Sequence, residues 1–233
     1  MAVLVGSNYD CINFGTHLAN PGNVDGTDGR DDLLVGANGC FNRRGKAFLF
    51  SSSSGGLINP VFSWDYVPFE LEGRTSVVAG IGDFNSDGKP DFSVSTPGNT
   101  GRVDVFYGSA SVPSEIPAMT MSSGLLGTGF GEAVAGGVDV NFDGFDDLVI
   151  AEPRYTSNGL NSRGRISVYF GGFSPSTTSK RNIEGTCAAC RFGTSLGLGL
   201  LNSDDYGDFA GSQPGFGTAP THEGEVRVHF GEW

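Results

Sequence analysis

Asp139-Val140-Asn141-Phe142-Asp143-Gly144-Phe145-Asp146-Asp147-Leu148 is the stretch that decides the fold. Oxygen-bearing side chains alternate at 139, 141 and 143, a glycine follows, Asp147 closes the loop, and an apolar run begins at Leu148. The same order recurs in Asp83-Phe84-Asn85-Ser86-Asp87-Gly88-Lys89-Pro90-Asp91-Phe92, at an offset of 139 − 83 = 56 residues. A third copy with one extra residue reads Asn23-Val24-Asp25-Gly26-Thr27-Asp28-Gly29-Arg30-Asp31-Asp32-Leu33, and a worn fourth reads Leu200-Leu201-Asn202-Ser203-Asp204-Asp205-Tyr206-Gly207-Asp208-Phe209. Self-similarity of this kind marks a repeat architecture, in which each unit is one supersecondary element stacked on the next.

Each acidic loop has the same surroundings. Before it stands a Phe-Gly pair or its remnant: Phe14-Gly15, Glu72-Gly73, Phe130-Gly131 and Phe192-Gly193. After it comes a short apolar run ending in small residues, as in Leu33-Leu34-Val35-Gly36-Ala37 and Leu148-Val149-Ile150-Ala151-Glu152-Pro153. A further segment then alternates, as in Gly164-Arg165-Ile166-Ser167-Val168-Tyr169-Phe170-Gly171 and Gly224-Glu225-Val226-Arg227-Val228-His229-Phe230-Gly231. Period-two alternation bounded by glycines predicts strands. Each repeat holds three such strands and a less regular fourth, around 59–69, 115–122 and 179–185, so the chain is expected to be all-β with small antiparallel sheets. Its 38 glycines suit a fold with many tight turns, and without a Gly-X-Y period they exclude collagen.

These residues resemble the FG-GAP repeat of integrin α-chain β-propellers and related secreted propellers, over nearly the whole chain. The departures are Glu72-Gly73 in place of Phe-Gly, the absence of a full Gly-Ala-Pro turn, and the degraded fourth loop. Integrin-type propellers have seven blades, whereas four repeats are present here. The resemblance implies one β-propeller domain over 1–233 with four blades of four antiparallel strands: about 11–69, 70–122, 123–185, and 186–233 plus 1–7. The fourth repeat lacks a last strand of its own, and Ala2-Val3-Leu4-Val5-Gly6 is expected to supply it, closing the ring and hiding edges that would otherwise stay unpaired. The alternative is a half-ring or a fragment of a larger propeller.

Calcium takes six to eight oxygens, and alternating carboxylates and amides along a tight loop present them to one point. Expected ligands are Asp139, Asn141, Asp143 and Asp147 with the Phe145 carbonyl; Asp83, Asn85, Asp87 and Asp91 with the Lys89 carbonyl; and Asn23, Asp25, Asp28 and Asp32 with the Arg30 carbonyl. The fourth loop has Leu200 where the first carboxylate belongs, leaving a weaker set of Asn202, Asp204 and Asp208. Two to three Ca²⁺ sites are expected, with a fourth as the upper limit. The competing reading of any single loop is an ordinary solvated Asp-Gly turn.

A net charge of −12 opposes nucleic-acid phosphates and anionic membrane surfaces, so neither is an expected partner. MAVLVGSNYD lacks a basic n-region with a long apolar stretch, and no apolar run is long enough to span a bilayer as a helix. Cys11, Cys40, Cys187 and Cys190 fit disulfides, free thiols or half a zinc site, and spacing alone does not fix their connectivity. Weak extracellular-type calcium loops favour a secreted or cell-surface setting.

The resemblance implies that partners dock on the face opposite the acidic loops. Arg43, Arg44, Trp64, Tyr66, Arg154, Tyr155 and His222 are the candidate ligand residues there, aromatic and Arg being suited to recognition. Trp64 and Tyr66 have packing between blades as their alternative role. The function expected is a calcium-stabilised module for protein–protein interaction or adhesion, with a lectin-like carbohydrate-binding propeller as the alternative and an accessory domain or a lyase- or hydrolase-type enzyme as a lesser one. No nucleophile elbow, zinc helix motif or phosphate loop is present, so no catalytic residue is assigned. A monomer is expected over a dimer.

Overall fold

The computed structural model describes residues 3–6, 11–40, 45–52, 77–217 and 223–231, and the backbone of 60–65. Alternating, β-branched segments between glycine-rich turns form strands throughout. The first sheet is β1 (Cys11–Ala19), β2 (Leu33–Cys40), β3 (Lys46–Phe50) and β4 (Pro60–Asp65); the second is β5 (Val77–Gly82), β6 (Asp91–Thr96), β7 (Arg102–Phe106) and β8 (Met119–Ser122). The third is β9 (Ala133–Val138), β10 (Asp147–Glu152), β11 (Arg165–Tyr169) and β12 (Arg181–Glu184), and the fourth β13 (Leu196–Gly199), β14 (Asp208–Gln213) and β15 (Glu225–His229). Every pairing is antiparallel between chain neighbours, so each sheet is an up-and-down meander. The irregular outer strands predicted from sequence are β4, β8 and β12.

The sheets stack in chain order, with β1 against β5, β5 against β9 and β9 against β13. This is a propeller-like arrangement, and three apolar interfaces hold it. Ala47 and Leu49 of the first sheet meet Val78, Phe92 and Val94 of the second. Val103 and Val105 of the second meet Phe130, Leu148 and Ile150 of the third, and Ile166 and Val168 of the third meet Phe192 and Phe209 of the fourth. Alternation supplies both faces of each sheet, one for the preceding sheet and one for the following sheet.

The expected closure by the N-terminal segment is not what the structure has. Val3, Leu4 and Val5 lie outside any strand, and Leu4 packs on the first sheet, against a cluster of Cys11, Val35, Ala37, Cys40, Phe48 and Phe50. That cluster is the first sheet's outward apolar face, and it gives Leu4 a burial site on the sheet that follows it in the chain. Among the described residues the fourth sheet accordingly has three strands rather than four, and no strand packing comparable to that of the three interfaces joins it to the first. Residues 1–2 and 7 lie outside the described residues.

All four cysteines are in disulfides. Cys11–Cys40 joins β1 to β2, and Cys187–Cys190 staples the turn before Phe192. Both suit an oxidising compartment.

Candidate metal centre and the opposite face

Each acidic loop joins the first and second strands of its sheet. The second and third loops share the hydrogen bonds that hold their alternating side chains, and the second adds a bond from the Asn85 amide to Asp91 (3.3 Å). Asp83 accepts from the amides of Asp87 (3.0 Å) and Gly88 (2.9 Å), and Asp139 from those of Asp143 (3.1 Å) and Gly144 (2.7 Å). The Asn85 and Asn141 side chains accept from the amides of Asp87 and Asp143 and donate to the same residues' carboxylates. Asp87 and Asp143 then accept from the Lys89 and Phe145 amides. The path needs left-handed backbone at Ser86 and Phe142 (φ 58° and 59°) and at Gly88 and Gly144 (86° and 90°), where glycine carries no Cβ penalty. The three oxygen-bearing side chains are thereby held along one tight turn.

The closing aspartate behaves differently. Asp91 and Asp147 are fully buried; Asp91 accepts from the amides of Phe84 (3.0 Å) and Gly108 (2.9 Å), and Asp147 from those of Val140 (2.8 Å) and Gly171 (2.9 Å). Asp32, bonded by Val24 and Ser52, and Asp208, bonded by Leu201 and Gly231, do the same in the first and fourth loops. In all four repeats this carboxylate ties the acidic loop to the end of the third strand. Burial, only partly offset by these bonds, pushes Asp91 and Asp147 up to about 7 and raises Asp32.

The first loop is looser. Asp25 accepts from the Thr27 amide and hydroxyl, and Asp28 from the Arg30 amide. Burial raises Asp25, but hydrogen bonds from Ser51 and Thr27 together outweigh it and leave its pKa lowered. The Asn23 side-chain oxygen is buried without a hydrogen-bond partner. The fourth loop keeps the Asn202–Asp204 pairing and the Asp204 bond from the Tyr206 amide, but Leu200 replaces the first carboxylate.

Among the described residues no three His, Cys, Asp or Glu side chains sit close enough to form a ready metal cage. The loops instead hold their oxygens on backbone amides, each carboxylate oxygen keeping a further lone pair for a cation. The donor set of carboxylates and amides with an orphaned Asn23 oxygen fits a hard cation, and the inward turn of Asp91 and Asp147 sets those two apart from the other expected ligands. Sequence reading missed Asp146. Its carboxylate accepts from the Asp83 amide (2.7 Å), and burial, with the charges of Asp83 and Asp139, raises its pKa. The Asp146-Asp147 doublet was the available signal: one carboxylate ties its own loop and the other reaches the preceding repeat.

Strand β10 runs from Asp147 at the loop end to Glu152, and the residues after it form the opposite face. There Leu125, Leu126, Thr128, Arg154, Tyr155 and Asn161 line an open cleft of about 500 Å³. Arg154 pairs with Glu132 and Tyr155 lies under the Arg165 guanidinium, 3.9 Å from its ring centroid. Arg165 is in turn bonded to the fully buried Glu152 at 2.6 and 2.8 Å. Two of the seven candidate ligand residues are thus brought together in one cleft. Arg43, Arg44, Tyr66 and His222 lie outside the described residues, and of Trp64 only the backbone, paired opposite Ala47, is described.

A family model for the FG-GAP repeat matches residues 75–106 and 130–169. Mouse (Mus musculus) integrin alpha-IIb is 32% identical over 156 residues, covering 61% of this chain and 14% of the integrin. Chicken (Gallus gallus) integrin alpha-6 is 29% identical over 154 residues, covering 61% and 14%. Bovine (Bos taurus) phosphatidylinositol-glycan-specific phospholipase D is 30% identical over 175 residues, covering 67% of this chain and 21% of that protein. The chain therefore spans between a seventh and about a fifth of the length of these relatives.

Proposed function

Because this chain carries FG-GAP repeats, we propose that it is a calcium-stabilised interaction module, acting outside the cell, that binds a protein partner on the face opposite its acidic loops. The observation behind the metal assignment is that the second and third loops hold their alternating Asp, Asn and Asp side chains by the same hydrogen bonds, 56 residues apart in sequence. Asp83, Asn85 and Asp87, and Asp139, Asn141 and Asp143, would hold the ion, which would neutralise like charges crowded on one turn and so stabilise the fold by linkage. The same role falls to Asn23, Asp25 and Asp28.

The partner assignment rests on the cleft at Arg154 and Tyr155 and on the integrin relatives. A protein is favoured over a sugar because one face of the Tyr155 ring is already covered by Arg165, which leaves less of it for stacking on a pyranose. The phospholipase relative brings no catalytic assignment: the chain covers a fifth of it, and His17 and His229 lie within strands of the sheets.

Calorimetric melts in calcium and in excess chelator, with bound metal counted by elemental analysis, test the proposal. Calcium is expected to raise Tm by several degrees, Asp143→Ala to remove one bound ion, and Asp204→Ala to remove none. An unchanged melt with no bound metal would refute it.

A further inference from the structure

The second-to-third and third-to-fourth sheet interfaces repeat one plug and one socket. The socket lies on the face turned to the following sheet: an apolar residue in the acidic loop, two alternate residues on the third strand and an aromatic after them. In the second sheet these are Phe84, Val103, Val105 and Tyr107, and in the third Val140, Ile166, Val168 and Phe170. All but the half-buried aromatics are fully buried. The plug is the Phe-Gly turn and first strand of the following sheet. A Cβ on Gly131 would run into Ser95 and Val103, and one on Gly193 into Ala151 and Ile166, so each glycine lets its turn lie directly on the preceding socket. Val78 at 6% exposure and the half-buried Val134 and Leu196 occupy one position on the plug strands.

The same positions at the two ends of the stack are bare. In the fourth sheet the socket residues are Leu201, Val226, Val228 and Phe230, exposed by 51%, 66%, 45% and 50%. In the first sheet the plug residue is Leu18, which pairs with Val35 as Val134 pairs with Ile150, and it is 64% exposed. A Cβ on Gly15 would meet no atom within 4 Å, unlike Gly131 and Gly193. Leu4 covers part of the first sheet's outer face, near Phe14, Phe48 and Phe50, and leaves Leu18 uncovered.

We propose that the open face of the fourth sheet, around Val226 and Val228, is a self-association site that takes the Phe14-Gly15 turn and Leu18 of a second copy of this chain. The occupant follows from continuity with the two internal interfaces at Gly131 and Gly193, each of which seats a Phe-Gly turn on such a socket. Plug and socket are different surfaces, so the contact is head-to-tail; two copies that plug each other leave no free end and form a closed ring of eight sheets. This revises the expectation of a monomer and does not depend on the metal or on the cleft.

Light scattering on the eluting 233-residue chain tests it. Wild type is expected at twice the 24.3 kDa chain mass. Val226→Asp and Leu18→Asp, both at exposed positions, are each expected at the single-chain mass with a circular-dichroism melt like that of wild type, and Val228→Lys is expected to repeat the loss. Mixing the Val226→Asp and Leu18→Asp proteins is expected to bring the doubled species back, because one intact plug then meets one intact socket. A wild-type chain at single mass, whether closed on itself or open, overturns the proposal. So does a doubled wild type whose two variants fail to complement, since that marks a two-fold contact between like faces.

Discussion

The third and fourth sheets are built from the same repeat and have diverged in opposite directions. The third has a complete acidic loop, four strands and both faces covered; the fourth has Leu200 for the first carboxylate, three described strands and one bare face. Yet the fourth keeps the closing aspartate: Asp208 bonds Leu201 and Gly231 as Asp147 bonds Val140 and Gly171. The comparison separates two jobs that sequence runs together. The buried carboxylate shapes the loop, and the alternating carboxylates ahead of it suit a cation. Losing one of the latter leaves the backbone path standing.

The largest expected difference between the two sheets is at the socket. Ile166 is fully buried against Phe192 and Phe209, so Ile166→Asp places an unpaired charge in that interface and should cost roughly 4 kcal/mol or more, enough to abolish cooperative folding. Val226→Asp, at the matching position, should shift the urea midpoint of the separated chain by less than about 0.5 kcal/mol-equivalent. Equal losses at both positions would mean that the fourth sheet's face is covered within one chain.

Next in size is the closing aspartate. Asp147→Ala and Asp208→Ala each strand buried amides, and each should cost about 3 kcal/mol whether or not calcium is present. Asp143→Ala should cost about 1–2 kcal/mol in calcium and little in chelator, while Asp204→Ala should be nearly neutral in both. Urea unfolding of the four variants with and without calcium checks this. A calcium-independent Asp143→Ala penalty would make the third loop an ordinary turn like the fourth.

The sheets were legible in sequence because their signal is periodic and local. Gly164 to Gly171 alternates under period two, and Gly101 to Gly108 carries the same alternation one repeat earlier. The destination of Leu4 was not legible, since Val3, Leu4 and Val5 read equally well as an edge strand and as apolar cover for Phe14, Phe48 and Phe50, and only packing decides. At the site, spacing singles out Asp139, Asn141, Asp143 and Asp147 alike and does not tell the first three from the buried Asp147, because hydrogen bonding to the distant Gly171 amide leaves no mark on the local pattern. Asp146 was hidden for the same reason, its partner Asp83 lying a full repeat away.

The smallest difference concerns one aromatic position. Tyr169 in the third sheet and His229 in the fourth both face the preceding sheet, and burial pushes the Tyr169 hydroxyl up to about 12, so it stays neutral at any ordinary pH. His229 stacks on Phe209 at 5.0 Å, and burial, followed by the charges of Arg227 on its own strand and Arg181 on β12, lowers its pKa. The native state then binds fewer protons than the unfolded chain, so the stability His229 contributes is full above the unfolded value of about 6.5 and is lost as pH falls through it. Wild type minus His229→Tyr, compared by urea midpoints at about pH 7.5 and about pH 5.5, isolates this from the aspartates, whose raised values slope the other way. The wild-type protein should lose up to about 1 kcal/mol more than the variant on acidification. Parallel midpoints would show that the imidazole is protonated in place, and that the fourth sheet opens there as readily as its bare outer face suggests.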